Sequence, residues 1–379
     1  MQKLLNFLPR DSGRIHGADV VRGIAATSVI FFHVLYLSGI PPHETSLWWV
    51  GRFDFFVRLF FILSAFSISN AYINRINDID SISIFYLKRF FRIAPLFYCL
   101  IAYGLISNIV TKSPLPGFFD ILLSSSFLFS LIPGKQDSLV GGGWSIGIEW
   151  LFYAFFPVFI AVIRGWKSAL FAWAVLCTLA IFSVRFLATA VGGELRTFGL
   201  LGFVAHAHYF VVGLLLALIY KNAKVIAIPK QLCGALFIAA LAATGYSFKL
   251  QSPVPEELAL SVMGFVMVYL SLSGFPQWLD NSITRWLGLV SYSIYLMQFP
   301  VIQILVRTGF YSYVQTAVGT GVLAFTLSAV ATCLMVVLIS AITHRFIEVP
   351  CQQMANRFYQ NKPQQVQKFA TLNVKTIQQ

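Results

Sequence analysis

Asp19-Val20-Val21-Arg22-Gly23-Ile24-Ala25-Ala26-Thr27-Ser28-Val29-Ile30-Phe31-Phe32-His33-Val34-Leu35-Tyr36-Leu37 is an apolar run with an arginine near its start and a histidine deep inside it. Crossing a bilayer as a helix takes about 20 mostly apolar residues. Runs that meet that length recur near 20–39, 53–73, 89–110, 145–163, 168–190, 202–220, 231–248, 257–274, 286–306 and 314–342, the last long enough to tilt or to extend beyond the lipid. Of 379 residues, 58% are hydrophobic, 16% aromatic and only 11% charged, and the mean hydropathy is +0.77. A soluble domain carries about 25% charged residues, so this chain cannot build a water-facing surface. A soluble enzyme, a nucleic-acid-binding module and a disordered scaffold are excluded. The expected fold is an all-α polytopic transmembrane bundle.

A further run, 118–132, is short, follows Pro114, Pro116 and Gly117, and ends at Pro133-Gly134. Charge decides whether it crosses, because Lys and Arg crowd the cytoplasmic side. If it does not cross and the N-terminus is cytoplasmic, 19 of the 27 Lys and Arg fall inside and 8 outside. If it crosses, the split becomes 13 inside and 14 outside. The expectation is ten spans, both termini cytoplasmic, and 118–132 as an outer re-entrant or surface segment. The formal net charge of +13 is then a topology signal, with no nucleic-acid partner implied.

The chain divides into a cytoplasmic N-terminal segment over 1–15, a membrane domain over 16–350 and a polar, Gln-rich cytoplasmic tail over 351–379. The first twenty residues lack a signal-peptide core and an A-x-A site, so the first apolar run is expected to stay as a helix. Cys99, Cys177, Cys233, Cys333 and Cys351 contain no CxxC pair and imply neither a disulfide framework nor a metal site.

Charged residues inside lipid are costly, which makes each a functional candidate. Arg22 and His33 are eleven residues apart, close to three helical turns, so they share a face about 16 Å apart along the axis. His33 has a plainer reading as a core histidine satisfied by one hydrogen bond, and Arg22 on the same face weakens it. Asp19 lies one turn before Arg22, within pairing distance. Lys88-Arg89-Phe90-Phe91-Arg92 opens the third span. Alone it reads as a positive-inside anchor; with Arg22 it forms a cationic mouth suited to a polyphosphorylated ligand. Gly141-Gly142-Gly143-Trp144-Ser145-Ile146-Gly147-Ile148-Glu149 leads into the fourth span, with Tyr153 at i+4 from Glu149. An isolated Glu there needs a partner or a raised pKa. Ser64 reads as a packing residue, Ser291-Tyr292-Ser293-Ile294-Tyr295 as interhelical hydrogen-bonders. His206 and His208 diverge by about 200° on a helix and do not form a metal pair.

These stretches, in order, resemble the membrane-bound acyltransferase family 3, without the soluble hydrolase-like domain some relatives carry. The resemblance rests on Asp19-x-x-Arg22-Gly23 with His33, Phe60-Phe61-Ile62-Leu63-Ser64-Ala65-Phe66, and Arg89-x-x-Arg92 with Pro95. It continues through Trp144-Ser145-Ile146-Gly147-Ile148-Glu149 to Tyr153, then Ser291-Tyr292-Ser293-Ile294-Tyr295-Leu296, and closes with Arg345-Phe346-Ile347-Glu348-Val349-Pro350. Two positions depart from the family pattern. Ala65 stands where Gly is common, and Gln298 stands where His is common, before Phe299-Pro300. Gln cannot shuttle a proton, which leaves His33 as the histidine of interest.

The resemblance implies a multi-pass protein of a bacterial cytoplasmic (inner) membrane that moves an acyl group, most often acetyl, from cytoplasmic acyl-CoA. The acceptor it implies is a hydroxyl of a cell-surface or secreted glycan, lipid-linked or free, such as lipopolysaccharide or exopolysaccharide. In that scheme His33, Arg22 and Glu149 are the catalytic residues, with His33 as general base or acyl carrier, and Arg22, Arg89, Arg92 and Lys88 hold CoA phosphates. Glu149 orients the His, binds acceptor or gates the cavity. Trp144, Ser145, Tyr153, Ser64, Tyr295 and Gln298 line the substrate path, and no metal is required because a thioester is already activated. The outward faces suit membrane lipid, and a homo-oligomer is compatible with them. The competing class is a transporter or channel using Arg22, His33 and Glu149 as a proton or anion relay.

Overall fold

The computed structural model describes residues 15–41, 43, 49–76, 78–191, 193–222, 226, 228–247 and 254–360. Most of the N-terminal segment and the tail beyond 360 lie outside the described residues, and with them the expected side of both termini. Among the described residues fifteen α-helices follow in order. They are α1 His16–Leu37, α2 Phe55–Tyr72, α3 Ile79–Val110, α4 Phe118–Ser126, α5 Gly143–Val162, α6 Trp166–Phe182, α7 Gly193–Leu201 and α8 Phe203–Asn222. After these come α9 Lys230–Ser247, α10 Glu256–Ser273, α11 Ser282–Leu289, α12 Ser291–Arg307, α13 Phe310–Val318, α14 Val322–Thr343 and α15 Val349–Gln360. Among the described residues there is no strand.

Among the described residues, eight helical stretches are long and apolar enough to cross a membrane, and nine if the bent pair α11–α12 is one crossing. The run read near 231–248 forms α9, whose apolar part, Lys230–Thr244, is shorter than that test requires. The protein is a multi-pass membrane protein. Its helices arrange by burial: an apolar 18-residue stretch within Gly193–Asn222 is 83% buried, against 17% for the one within Trp166–Leu187. Helix α8 is therefore central and α6 peripheral. Phe152 on α5 stacks on Phe210 of α8 with ring centroids 4.2 Å apart, and Phe97, Phe129 and Phe156 are likewise fully buried. Phe171 and Leu334 are 73% and 67% exposed, as side chains that face hydrocarbon should be.

The segment 118–132 does not form a crossing helix. Helix α4 has nine residues, Phe127 turns the chain in a left-handed conformation (φ 60°), and a 3-10 turn follows at Leu128–Leu131. Phe127 inserts between Phe97 and Trp150, and Lys135 pairs with Asp120 at 2.7 Å to close the excursion.

Four boundaries differ from the sequence reading, each for a local reason. Helix α3 begins at Ile79, ten residues before the expected span, because Asp78 caps it: its carboxylate accepts from Ser81 N at 2.7 Å and Ser81 Oγ accepts from Asp78 N. The run read as one span over 286–306 is bent by 71° between α11 and α12. The run read over 314–342 is broken after α13, where Gly319 and Gly321 adopt φ of 82° and 120°, outside what L side chains readily take. The helix does not stop at Pro350: α14 passes through a π-helical segment, His344–Glu348, into α15. The tail expected from 351 thus starts as a helix on the membrane unit, with the Phe358 ring 6.1 Å from that of Phe91.

Candidate active site

The N-terminal halves of α1 and α3, the middle of α2, the start of α5 and the bend between α11 and α12 enclose a cavity of about 310 Å³. Arg22, Arg89, Arg92, Ser64, Ser145, Glu149, Tyr153 and Tyr295 all line it. Of the nominated residues, His33, Gln298, Trp144 and Lys88 do not. The cavity's wall also contains Tyr292, read above as an interhelical hydrogen-bonder, and Ser67 and Gln352, which the sequence did not point to.

The three arginines are held differently. Arg22 is tied down: Nη1 lies 3.3 Å from Asp19 Oδ1, and Nη2 donates to Leu63 O at 3.1 Å and Ser67 Oγ at 2.5 Å. Arg92 Nη1 lies 3.1 Å from Glu348 Oε2, with its guanidinium 5.5 Å from the Tyr292 ring centre. Arg89 lies near the Tyr72, Phe85 and Tyr153 rings at 5.8, 6.0 and 5.8 Å. Its Nε is buried without a hydrogen-bond partner, as is Nε2 of Gln352. Buried donors are rarely left unpaired in a folded protein. Both residues line the cavity.

Glu149 is fixed by its neighbours. Ser64 Oγ donates to Oε1 at 2.5 Å, and Tyr153 OH donates to the same oxygen. Ser64 is thus a polar member of the site, which corrects its reading as a packing residue. Its place on α2 opposite Glu149 on α5 is invisible in either segment alone. Tyr295 OH pairs with Ser145 Oγ at 2.7 Å and donates to Gly142 O at 3.1 Å.

The Ser291–Tyr295 stretch does bond between helices. Tyr292 OH donates to Ile93 O at 2.6 Å, and Ser293 donates to Glu348. Glu348 is 1% exposed and takes Arg92, Ser293 and the nearby His344 (Nδ1 at 3.4 Å). It is the hub joining three of the six motifs, and sequence reasoning quoted it without assigning it a part. The signal was available: an acid between Ile347 and Val349 must find partners if buried. Gln352 gave no such signal, because it sits in a polar stretch.

His33 lies beyond the Tyr295 end of the cavity. Its Nδ1 is 3.1 Å from Gln298 Oε1, and Gln298 Nε2 donates to Tyr295 O at 2.8 Å. Gln298, not Glu149, is the group that meets His33. Trp144 packs instead near Phe61 and His206, at 6.3 and 5.4 Å between rings. Lys88 is half-buried on α3, outside the cavity wall. Among the described residues no three His, Cys, Asp or Glu converge as a metal-binding group.

Comparison with known proteins gives this site a context. A family model described as "Acyltransferase domain" matches residues 15–345. The acyltransferase MdmB of Streptomyces mycarofaciens is 27% identical over 277 residues, covering 65% of this chain and 67% of that protein. The peptidoglycan O-acetyltransferase OatA of Listeria monocytogenes serovar 1/2a is 23% identical over 322 residues, covering 75% of this chain. That match spans 49% of OatA, so the chain corresponds to about half of that relative. No solved structure matches. The family match covers most of the chain, and the chain belongs to this acyltransferase family.

Proposed function

From that membership we propose that the protein moves an acyl group, acetyl in the first instance, from acyl-CoA in the cytoplasm to a hydroxyl of a cell-surface or secreted glycan. The observation that carries the donor half is the cavity with three arginines and two buried, unpartnered donors, Arg89 Nε and Gln352 Nε2. Guanidinium groups bind phosphate through paired, charge-assisted hydrogen bonds. A polyphosphorylated carrier with a long, flexible arm suits a site that is cationic at one end and lined by Phe60 and Tyr295 beyond it. Glu149 Oε1 already accepts from two hydroxyls, so Oε2 is the atom offered to an amide N–H of the pantetheine arm. The glycan acceptor is supported by OatA, a peptidoglycan O-acetyltransferase.

His33 is the general base in this reading. The nitrogen end of the Gln298 amide is committed to a backbone carbonyl, so its oxygen end faces Nδ1 and calls for a proton there. The imidazole lone pair is then on Nε2. The acceptor hydroxyl loses its proton to Nε2 as its oxygen attacks the thioester carbonyl carbon. A C–O bond forms, the C–S bond breaks, and the proton passes from His33 to the departing sulfur to give CoA thiol. One turn of α12, from Tyr295 to Gln298, separates the donor cavity from this base.

Mass spectrometry of surface and secreted polysaccharides tests the reading, comparing cells with the protein, without it and with His33→Ala. Loss of one acyl mass per repeat in the last two supports it. Full acylation in the His33→Ala cells removes His33 as base, and identical polysaccharide in all three removes the glycan acceptor.

A further inference from the structure

A second cavity, about 170 Å³, lies at the far ends of α3 and α12, beside the loop that enters α5. The donor reading makes no use of it. Its wall combines polar side chains, Ser107, Asn108, Gln303 and Arg307, with the ring of Phe299 and the backbone at Gly141.

Two contacts connect this cavity to His33. The Phe299 ring centre is 4.5 Å from that of His33. Phe299 also lies so close to the glycines before α5 that a Cβ on Gly141 or Gly142 would come within 2.6 or 2.4 Å of it. The same Gly142 accepts from Tyr295 OH through its carbonyl. A single stretch of α12 therefore presents Tyr295 to the first cavity, Gln298 to His33 and Phe299 to the second cavity. His33 lines neither cavity and meets both Gln298 and Phe299 of this stretch.

Arg307 gives the second chamber a charge. It lies exposed on the rim, and Nη1 donates to Ser107 Oγ at 3.0 Å. Among the described residues no carboxylate forms a salt bridge with it. A guanidinium has five N–H donors in a fixed fork, so one bond to a hydroxyl leaves most of them for an anion.

We propose that this second cavity is the acceptor site and that it selects a sugar unit bearing a negative group, carboxylate or phosphate, on Arg307. The sugar ring lies against Phe299, with Asn108 and Gln303 in reach of its hydroxyls and the reacting hydroxyl directed to His33. The assignment rests on the acyl-transfer reading for its chemistry, but binding of the acceptor needs no donor.

The test uses the full chain in phosphatidylcholine nanodiscs without acyl-CoA. Saturation-transfer NMR compares methyl β-D-glucuronide with methyl β-D-glucoside. The charged sugar is expected to bind about tenfold tighter, the effect of one added charge-assisted contact. Arg307→Gln, on an exposed side chain, is expected to erase the difference, and Arg307→Lys to keep part of it. Equal binding of the two sugars by the wild type overturns the proposal, and so does a preference that survives Arg307→Gln. Discs containing phosphatidylglycerol address a lipid phosphate as the occupant: loss of glucuronide binding there identifies a headgroup site and also overturns it. Acetyl-CoA binding, measured on the same discs, is expected to be unchanged by Arg307→Gln. Its absence in the wild type would sink the donor reading while leaving the sugar comparison interpretable.

Discussion

Gln298 Oε1 lies 3.1 Å from His33 Nδ1 across 265 residues of sequence, and the other end of the same amide is bound to the Tyr295 carbonyl. The departure from the family pattern at position 298 thus falls on the partner of the histidine in the first motif. An amide fixed at both ends holds one tautomer of the imidazole, which a free side chain would not. Gln298→Leu is expected to lower kcat about tenfold, the worth of one orienting hydrogen bond, with KM for acyl-CoA unchanged. His33→Ala is expected to lower it by about 10²–10⁴. Steady-state kinetics on purified protein check both, and a pure KM effect of Gln298→Leu would contradict the orienting role.

Gln352 and Arg89 each offer a buried donor to the same cavity. Gln352→Leu is expected to raise KM for acetyl-CoA about tenfold with little change in kcat. The thioester of N-acetylcysteamine, which has no phosphate, is expected to be used equally by wild type and variant. An equal loss on both donors would point to a structural role for α15.

Both hydroxyl partners of Glu149 donate to one oxygen, Oε1. Glu149→Gln can retain those two bonds while turning the opposite atom from acceptor to donor. It is expected to lower kcat/KM for acyl-CoA at least about tenfold without moving the thermal unfolding midpoint. Ser64→Ala and Tyr153→Phe each leave one donor in place and are expected to act more weakly.

Glu348 is buried, with Arg92 as the cation at 3.1 Å. Removing one partner of a buried pair strands the other charge. Arg92 is 30% exposed at its side chain, so Arg92→Met is expected to cost about 2–3 kcal/mol, below the cost for a fully buried pair. The midpoint of thermal unfolding in detergent reads this. Adding Glu348→Leu to Arg92→Met is expected to recover much of the loss; no recovery would mean that Ser293 and His344 already satisfy the carboxylate.

Asp78, outside the apolar spans, caps α3, and the Ser81 backbone N–H and hydroxyl hold its carboxyl below the usual carboxylate range. A carboxyl whose folded-state value is depressed stabilises above its unfolded value and loses that contribution as pH falls through the folded one. Asp78→Ala is therefore expected to lower the unfolding midpoint slightly at neutral pH. The gap should close well below pH of about 3.9. A gap that persists in acid would mean that the cap works without its charge.

The membrane class, the approximate positions of the apolar helices, the failure of 118–132 to cross and the family were legible in the sequence. They follow from local quantities: the length of apolar runs, the sparsity of charge, and motif order. Glycine and proline marked some breaks correctly, as at Pro114–Gly117, but at the bend the single Gly288 lies inside α11 and did not signal it, and the start of α3 depended on a cap set by Asp78 and Ser81. Periodicity put Arg22 and His33 on one face of α1, yet the cavity takes only Arg22, because side chains from α12 come between them.

The partners of the buried polar groups were decided by the tertiary structure alone. Ser64 with Glu149, Glu348 with Arg92 and Ser293, and Gln298 with His33 join helices far apart in sequence. Inside lipid a polar group without a partner is costly, and a sequence shows the need without showing the neighbour. Residue type therefore determined that these positions would be paired, and helix packing determined with whom.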